Sequence, residues 1–273
     1  MLTAVTLALA PRRCARWLGL APVEVRPTPP AARPWTDALV RRTAGRQRCE
    51  GVPIDQVDGT TCGAAVLVVL RAALDGVYRA AVIGSRLEPG RFGAEQLLVH
   101  RQSTRWWPRA LGTSPWGMAG WLRHSGVVSL RVQLVDAADT TDLAAVLARV
   151  DAALATGWAV PLLVGSLVPR HWCLALPGAP EGGWLVYEPS SASVRRVPPQ
   201  AVRQRNLRPL LGFDDLQAVL LPAGPAVSGS GGPRRVGRPS PLLQPREDDP
   251  GACGGAGAEV RGGGSVAVRR LGG

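Results

Sequence analysis

A long apolar run, CGAAVLVVL over Cys62–Leu70, follows directly on the polar stretch QVDGTT. Apolar residues cover almost the whole circumference of the helix that this run would form, which is typical of a buried central helix and not of a surface helix. The pattern predicts a helix over Cys62–Asp75, with Gly76 as its stop. Cys62 would then lie in the first turn of a core helix.

Two further helices are predicted along the chain. Ser114 followed by Pro115 is a typical helix start, with the serine as N-cap and the proline at the first helical position. A third helix is predicted over Thr141–Thr156, because apolar residues recur there with helical spacing. These residues are Leu143, Val146, Leu147, Val150 and Leu154.

The hydrophobic pattern changes after this third helix. Short β-type runs follow one another, separated by Gly, Pro and Ser. Helices that precede a set of short strands favour an α+β fold with an antiparallel sheet. The runs are AVPLLVGSLV, HWCLALPG, GGWLVYEP, SVRRVP and LQAVLLPA.

Composition divides the chain into three parts. Residues 1–44 are predicted to be poorly ordered or extended, since much of this segment is rich in Pro. Residues 45–222 are predicted to form the folded domain. Residues 223–273 are dominated by Gly, Pro, Ser and Arg without any apolar period, which predicts a disordered tail.

The basic charge lies mainly on the flanks. All 32 basic residues are Arg and the net charge is +12, but 16 Arg face 13 acidic residues between positions 51 and 222. A nucleic-acid-binding domain would concentrate basic charge on its folded part. Nucleic-acid association through the flanks therefore stays only as an alternative function.

The five cysteines (14, 49, 62, 173 and 253) are odd in number and irregularly spaced, which argues against a disulfide framework and against a zinc site. No metal and no organic cofactor is predicted. The first apolar segment has no preceding positive charge and is far too short to span a membrane. We therefore expect a cytoplasmic protein without a membrane span.

His171 begins a predicted strand, and the next predicted strand ends at Glu188, just before Pro189. If the two strands pair as a hairpin, the Glu188 carboxylate comes near the His171 ring. His100 and His124 are interpreted as surface or helix-end residues. Cys173, two positions after His171, is interpreted as a packing residue.

A nucleophilic thiol needs a group that favours the thiolate, a base, an acceptor that orients the base, and donors for the oxyanion. The N-terminus of a helix favours an anion, and Cys62 lies there. His171 is the candidate base and Glu188 its orienting acceptor. The Cys62 backbone N–H and the Gln56 amide are the candidate oxyanion donors.

Gln-x5-Cys-Gly at the head of a buried helix, followed by a late strand His and an acid-Pro, resembles the papain-like cysteine peptidase superfamily. The nearest resemblance is to its bacterial branch similar to double-glycine leader peptidases. It implies a central helix carrying Cys62 packed on an antiparallel sheet carrying His171 and Glu188. It also implies that Gln56 shapes the oxyanion hole. Glu188 stands where the family has Asp or Asn.

The resemblance implies cysteine-dependent hydrolysis or acyl transfer on a peptide or amide bond, through a thioester, with a peptide or protein as substrate. Gly63 would leave room for that substrate, and Trp107 and Trp172 are predicted to contact it, although core packing is an alternative for the tryptophans. A second hypothesis is an inactive member of the fold that binds peptides or proteins. In a third interpretation Cys62 is simply a buried structural thiol.

Overall fold

The computed structural model describes residues 35–83, 86–105, 107–166, 169–178 and 183–223. All of them belong to one compact unit. Most of the two predicted terminal segments, and with them 12 of the 16 Arg residues outside positions 51–222, lie outside the described residues.

Seven helices and two 3₁₀ segments lie among the described residues. The 3₁₀ segments are Arg109–Leu111 and Pro189–Ser191. The helices are α1 (Cys62–Leu74), α2 (Gly76–Ile83), α3 (Arg91–Ser103), α4 (Pro115–His124), α5 (Thr140–Ala155), α6 (Pro199–Arg203) and α7 (Arg208–Leu211).

Seven of the nine strands in the described part of the chain form one sheet in the order β1-β8-β7-β6-β5-β9-β4, in which all neighbours are antiparallel. Strands β2 and β3 form a separate small hairpin. The protein is therefore an α+β protein, as the sequence predicts. The strands are β1 (Gly45–Arg46), β2 (Arg48–Cys49), β3 (Val52–Pro53), β4 (Leu130–Leu134), β5 (Val160–Gly165), β6 (Pro169–Ala175), β7 (Trp184–Glu188), β8 (Ser193–Val197) and β9 (Asp215–Pro222).

Helix α1 is the central helix of the core. It is buried without interruption from Cys62 to Leu70, as its apolar pattern predicts. The predicted helix stop is confirmed, since Asp75 is the C-cap of α1 and Gly76 follows it, but a second helix that the sequence did not predict starts there. Helix α1 ends at Leu74, and Gly76 begins α2, because the Asp75 carboxylate accepts hydrogen bonds from the amides of Val77 and Tyr78.

The other predicted elements are present. Helix α4 begins as expected, with the Ser114 hydroxyl accepting from the amide of Gly117 at 3.1 Å. The predicted apolar face of α5 is buried. The elements without a counterpart in the sequence analysis are α2, α3, α6, α7, β1, β2, β3, β4 and the two 3₁₀ segments. The core also includes Leu39 and Val40, which precede the predicted start of the domain.

The hairpin of β6 and β7 positions the candidate site. Its ladder pairs Leu174 with Tyr187 and Ala175 with Val186, so the first part of β6, with His171, extends past the paired region. Helix α1 packs against both β6 and the 3₁₀ segment Pro189–Ser191 that follows β7. The start of α1 is thereby held beside the end of this hairpin.

In the part of the chain that the structure describes, no helix combines the length and the apolar character needed to cross a membrane.

Candidate active site

Cys62 is the first residue of α1, and its residue surface is 3% exposed. Thr61 occupies the N-cap position, but its hydroxyl hydrogen-bonds with the backbone of Asp58 and does not cap the helix. The first amides of α1 therefore have no side-chain partner. Unpaired N–H groups at a helix start favour negative charge in the space in front of them.

His171 and Glu188 form a buried pair. The distance between His171 Nε2 and Glu188 Oε1 is 2.7 Å, and both residues are more than nine-tenths buried. The predicted hairpin brings the two side chains together as expected. Because the carboxylate accepts, Nε2 carries the hydrogen, which leaves Nδ1 as the second nitrogen of the ring.

The Glu188 carboxylate accepts five hydrogen bonds. Besides His171, the donors are the backbone amides of Ser190 (2.8 Å) and Ser191 (3.0 Å) and the hydroxyl groups of both serines. Glu188 is in effect the N-cap of the 3₁₀ segment that begins at Pro189. Burial raises the pKa of Glu188, but the hydrogen bonds from His171, Ser190 and Ser191 lower it by more than burial raises it. The pKa of Glu188 therefore lies below its usual value of 4.5.

Arg195 donates hydrogen bonds to the hydroxyl groups of Ser191 and Ser193. Its Nη2 donates to Ser191 Oγ and its Nε to Ser193 Oγ, both at 3.2 Å, while Nη1 donates to the carbonyl of Leu210 at 2.8 Å. Ser191 and Ser193 also share a hydroxyl–hydroxyl hydrogen bond of 2.5 Å. A continuous polar chain therefore runs from the guanidinium through Ser191 and Glu188 to the imidazole.

Two thiols also interact with His171, those of Cys62 and Cys173. Burial lowers the pKa of the His171 ring, whereas Cys173, Cys62 and Glu188 raise it, and the net direction is upward from the usual 6.5. Burial raises the pKa of Cys173 itself, so that thiol is neutral at pH 7. The Glu188 carboxylate is therefore the anion that raises the pKa of His171.

Phe213 covers the His171 ring. The two rings stack with a centroid distance of 5.9 Å and an interplanar angle of 28°. Phe213 lies just before β9, in a loop where Asp214 is held by Arg208 at 2.7 Å and by the Ser166 hydroxyl at 2.8 Å. The stacking partner of the imidazole is thus fixed by ionic and polar contacts of its own loop.

Gln56 lies on the loop that enters α1. Its Nε2 donates to the Asp58 carbonyl at 2.6 Å, and its Oε1 is buried without a partner among the described residues. Its backbone N–H donates to the Pro189 carbonyl at 3.0 Å, which ties Gln56 to the end of the strand that carries Glu188. One of the two Nε2 hydrogens is not used by the Asp58 contact.

Two buried side chains hold this loop in place. Gln96 on α3 donates to the Asp55 carbonyl at 2.7 Å and accepts from the Val57 amide at 3.2 Å, so it clamps both neighbours of Gln56. The Tyr187 hydroxyl donates to the Ile54 carbonyl at 2.7 Å. Since a buried polar group without a partner is costly, these bonds fix the loop strongly.

Gly63 permits close packing at the second residue of α1. A Cβ atom at this position would lie 2.8 Å from Thr113 Cβ and 3.0 Å from Trp172 Cδ1. Trp172 is buried, and its indole N–H donates to the Thr113 carbonyl at 2.8 Å. The missing side chain of Gly63 therefore makes room for Thr113 and Trp172, and its predicted role toward a substrate stays a prediction.

A cleft opens beside Cys62, between the loop that leads into α4 and the sheet. Trp107 and Trp172 line it, as does Trp116, which is 54% exposed. Both tryptophans predicted to contact a substrate thus lie in one cavity with the thiol. The remaining lining residues are Leu111, Gly112, Thr113, Ser114, Pro115, Leu134, Leu163, Pro169, Arg170, Gln217 and Ala218.

No protein-family model matches the chain, and no curated protein sequence matches it. Among the described residues, no group of three or more His, Cys, Asp or Glu side chains could hold a metal ion.

Several residues that surround the site were not predicted from the sequence. Gln96 had a signal, since it is a polar residue on the buried face of α3 between Phe92 and Val99. Ser190 and Ser191 had one too, because an acid followed by Pro-Ser-Ser is a capping pattern. Phe213 had none, because its stacking depends on a contact across the fold. His100, interpreted as a surface or helix-end residue, lies in the last turn of α3 and is buried, and burial lowers its pKa.

Proposed function

We propose that the protein is a cysteine-dependent hydrolase or acyl transferase that acts on a peptide or amide bond. The observation that carries this proposal is the His171 ring, which hydrogen-bonds Glu188 through Nε2 at 2.7 Å and also interacts with the Cys62 thiol at the start of α1. A thiol, an imidazole and an orienting carboxylate in this order are the parts that nucleophilic catalysis by cysteine requires.

The fold supports the same proposal. A buried helix that begins with the nucleophile and packs on the antiparallel strand of the base is the arrangement of the papain-like cysteine peptidases that the sequence resembles. The longer Glu188 side chain reaches His171 while it caps the Pro189–Ser191 turn. The replacement of the family's Asp or Asn is thereby accommodated by local structure.

Acylation begins with transfer of the Cys62 Sγ proton to His171 Nδ1, which the ionised Glu188 favours by stabilising the imidazolium. The thiolate attacks the carbonyl carbon, and the Cys62 backbone N–H and the second Nε2 hydrogen of Gln56 donate to the oxyanion. His171 then protonates the leaving nitrogen, the C–N bond breaks, and a thioester remains on Cys62.

Deacylation reverses the roles. His171, now neutral, takes a proton from water or from an acceptor amine, whose oxygen or nitrogen attacks the thioester carbonyl. The carbon–sulfur bond breaks, and the sulfur recovers its proton from His171. Water gives a carboxylic acid and an amine acceptor gives a new amide, so the chemistry is complete with the residues of this site.

The decisive experiment is the pH dependence of alkylation by iodoacetamide at Cys62, read by peptide mass mapping, in the wild type and in His171→Ala. We expect the wild-type sulfur to react well below pH about 8.5, where a free thiol ionises, and His171→Ala to lose that reactivity. Cys49, which is half-buried and has a raised pKa through burial, provides an internal control in the same digest.

Reaction of Cys62 no faster than that of an ordinary thiol, or no reaction before unfolding, would overturn the proposal. It would favour the alternative in which the same fold binds peptides without cleaving them. If the activated pair is found, hydrolysis of a mixed library of peptide amides by the wild type and by Cys62→Ala identifies the cleaved bond.

A further inference from the structure

The floor of the cleft beside Cys62 is a row of side chains across four strands. Leu134 on β4 pairs with Ala218 on β9, Ala218 pairs with Leu163 on β5, and Leu163 pairs with Trp172 on β6. Register partners share one face of a sheet, so this apolar row is continuous. Trp107, Leu111 and Trp116 complete the walls.

Arg170 is the one charged residue among the described residues that line this cleft. It lies two positions before Trp172 on β6, where the β5–β6 register shifts, and it lines the same cleft as Trp172. It is exposed and forms no hydrogen bond or ion pair with any residue that the structure describes. By contrast, Arg205 forms an ion pair with Asp215, and Arg208 forms one with Asp214.

We propose that Arg170 binds a carboxylate of the substrate, and that the substrate is a peptide in which an acidic residue neighbours a bulky apolar residue held by Trp107 and Trp116. This inference rests on the proposed function, because it names the substrate class of the same site.

Two physical reasons favour this class. An arginine binds a carboxylate through two parallel N–H···O bonds, and no acidic residue among the described lining residues competes for it. Tryptophans that are partly exposed offer a large apolar surface to a ligand side chain, and Trp116 (54%) and Leu111 (45%) are among the most exposed large apolar residues described.

The test is a calorimetric titration of full-length Cys62→Ala, which binds without cleaving. The probes are acetyl-Glu-Phe-Glu-amide and acetyl-Gln-Phe-Gln-amide, which differ only in charge, so that an acid flanks the apolar residue on either side. The same titrations are made in Cys62→Ala combined with Arg170→Gln, and in Cys62→Ala combined with Arg203→Gln. Arg203 is exposed on α6 outside the cleft lining and provides the same change in net charge.

We expect the Glu peptide to bind about fivefold more tightly than the Gln peptide, since an exposed ion pair is worth up to about that factor. The preference should disappear with Arg170→Gln, remain with Arg203→Gln, and shrink at 1 M salt, where the Debye length is about 3 Å. Equal affinities for the two peptides, no binding of either, or an equal loss with Arg203→Gln would each overturn the inference. None of these results depends on the reactivity of Cys62, which tests the proposed function separately.

Discussion

The two sides of the His171 ring are built differently. On the acid side, Glu188 accepts five hydrogen bonds, and four of them come from the two residues after Pro189. On the thiol side, the ring meets the sulfur atoms of Cys62 and Cys173, and Cys62 also borders the apolar cleft. Strong polar contacts are therefore concentrated where the ring must be oriented, and the thiol side has only the weaker interactions of two sulfur atoms.

This difference has a chemical consequence. A carboxylate held by five donors stays ionised and fixed, so it stabilises the imidazolium without taking its proton. A sulfur with only weak hydrogen-bonding partners can give its proton to the ring and attack a substrate. Glu188 thus keeps its negative charge throughout, and proton transfer takes place only between the thiol and the ring.

The largest effect is expected from removing the charge on the acid side. Glu188→Gln keeps the shape but leaves the donors around it without their carboxylate, so the free energy of unfolding should fall by about 3 kcal/mol or more, as for one partner of a buried ion pair. Glu88→Gln provides the matched control, because Glu88 is exposed. Urea unfolding at neutral pH measures both variants against the wild type.

The pH dependence of this loss of stability shows whether it comes from the charges of Glu188 and His171. The folded-state pKa of Glu188 lies below its usual 4.5, so its stabilisation is present above that value and is lost as the pH falls through the folded-state pKa. The pKa of His171 is raised from 6.5, so its stabilisation is complete below pH 6.5 and declines as the pH rises above it. The difference between wild type and Glu188→Gln should be largest between pH 4.5 and 6.5. A difference that is constant from pH 3 to 9 would mean that the pair is not ionic.

Local sequence explains why the acid side could be predicted and much of its surroundings could not. Glu188 and His171 lie on two strands that follow one another along the chain, so the hairpin that these strands form brings the two side chains near each other, and their hydrogen bond is 2.7 Å long. Phe213 reaches the same ring from a loop more than 40 positions after His171, which no periodicity encodes. Helix α2 was missed for another reason: Gly76 is a common helix stop, but here the Asp75 carboxylate caps a new helix.

A smaller effect is expected from the loop that presents Gln56. Gln96→Leu removes the partners of the Asp55 carbonyl and the Val57 amide, which should lower the free energy of unfolding by about 1–3 kcal/mol. Because the change affects an oxyanion donor and leaves the thiol and the imidazole in place, turnover should fall while the pH profile of Cys62 alkylation stays the same.

Gln102→Leu is the control for that substitution. It removes one hydrogen bond, from Trp121 Nε1 at 2.9 Å, on the same helix but away from the Gln56 loop. A similar loss of turnover in both variants would show that α3 acts through general stability and not through Gln56. A shift of the alkylation profile in Gln96→Leu would show that the loop also positions Cys62.

The smallest effect is expected from the second sulfur on the thiol side. Cys173 has no exposed surface, and burial raises its pKa, so it should stay a neutral packing thiol while Cys62 reacts. We expect Cys173 to be alkylated only after unfolding, and Cys173→Ala to change the rate of Cys62 alkylation by less than about twofold, because a neutral thiol adds no charge to the imidazole. Mass mapping of native and denatured samples measures both quantities in one series. A shift of the Cys62 profile in Cys173→Ala would mean that the two thiols share the His171 proton, and the thiol side would then be a coupled pair and not a single nucleophile.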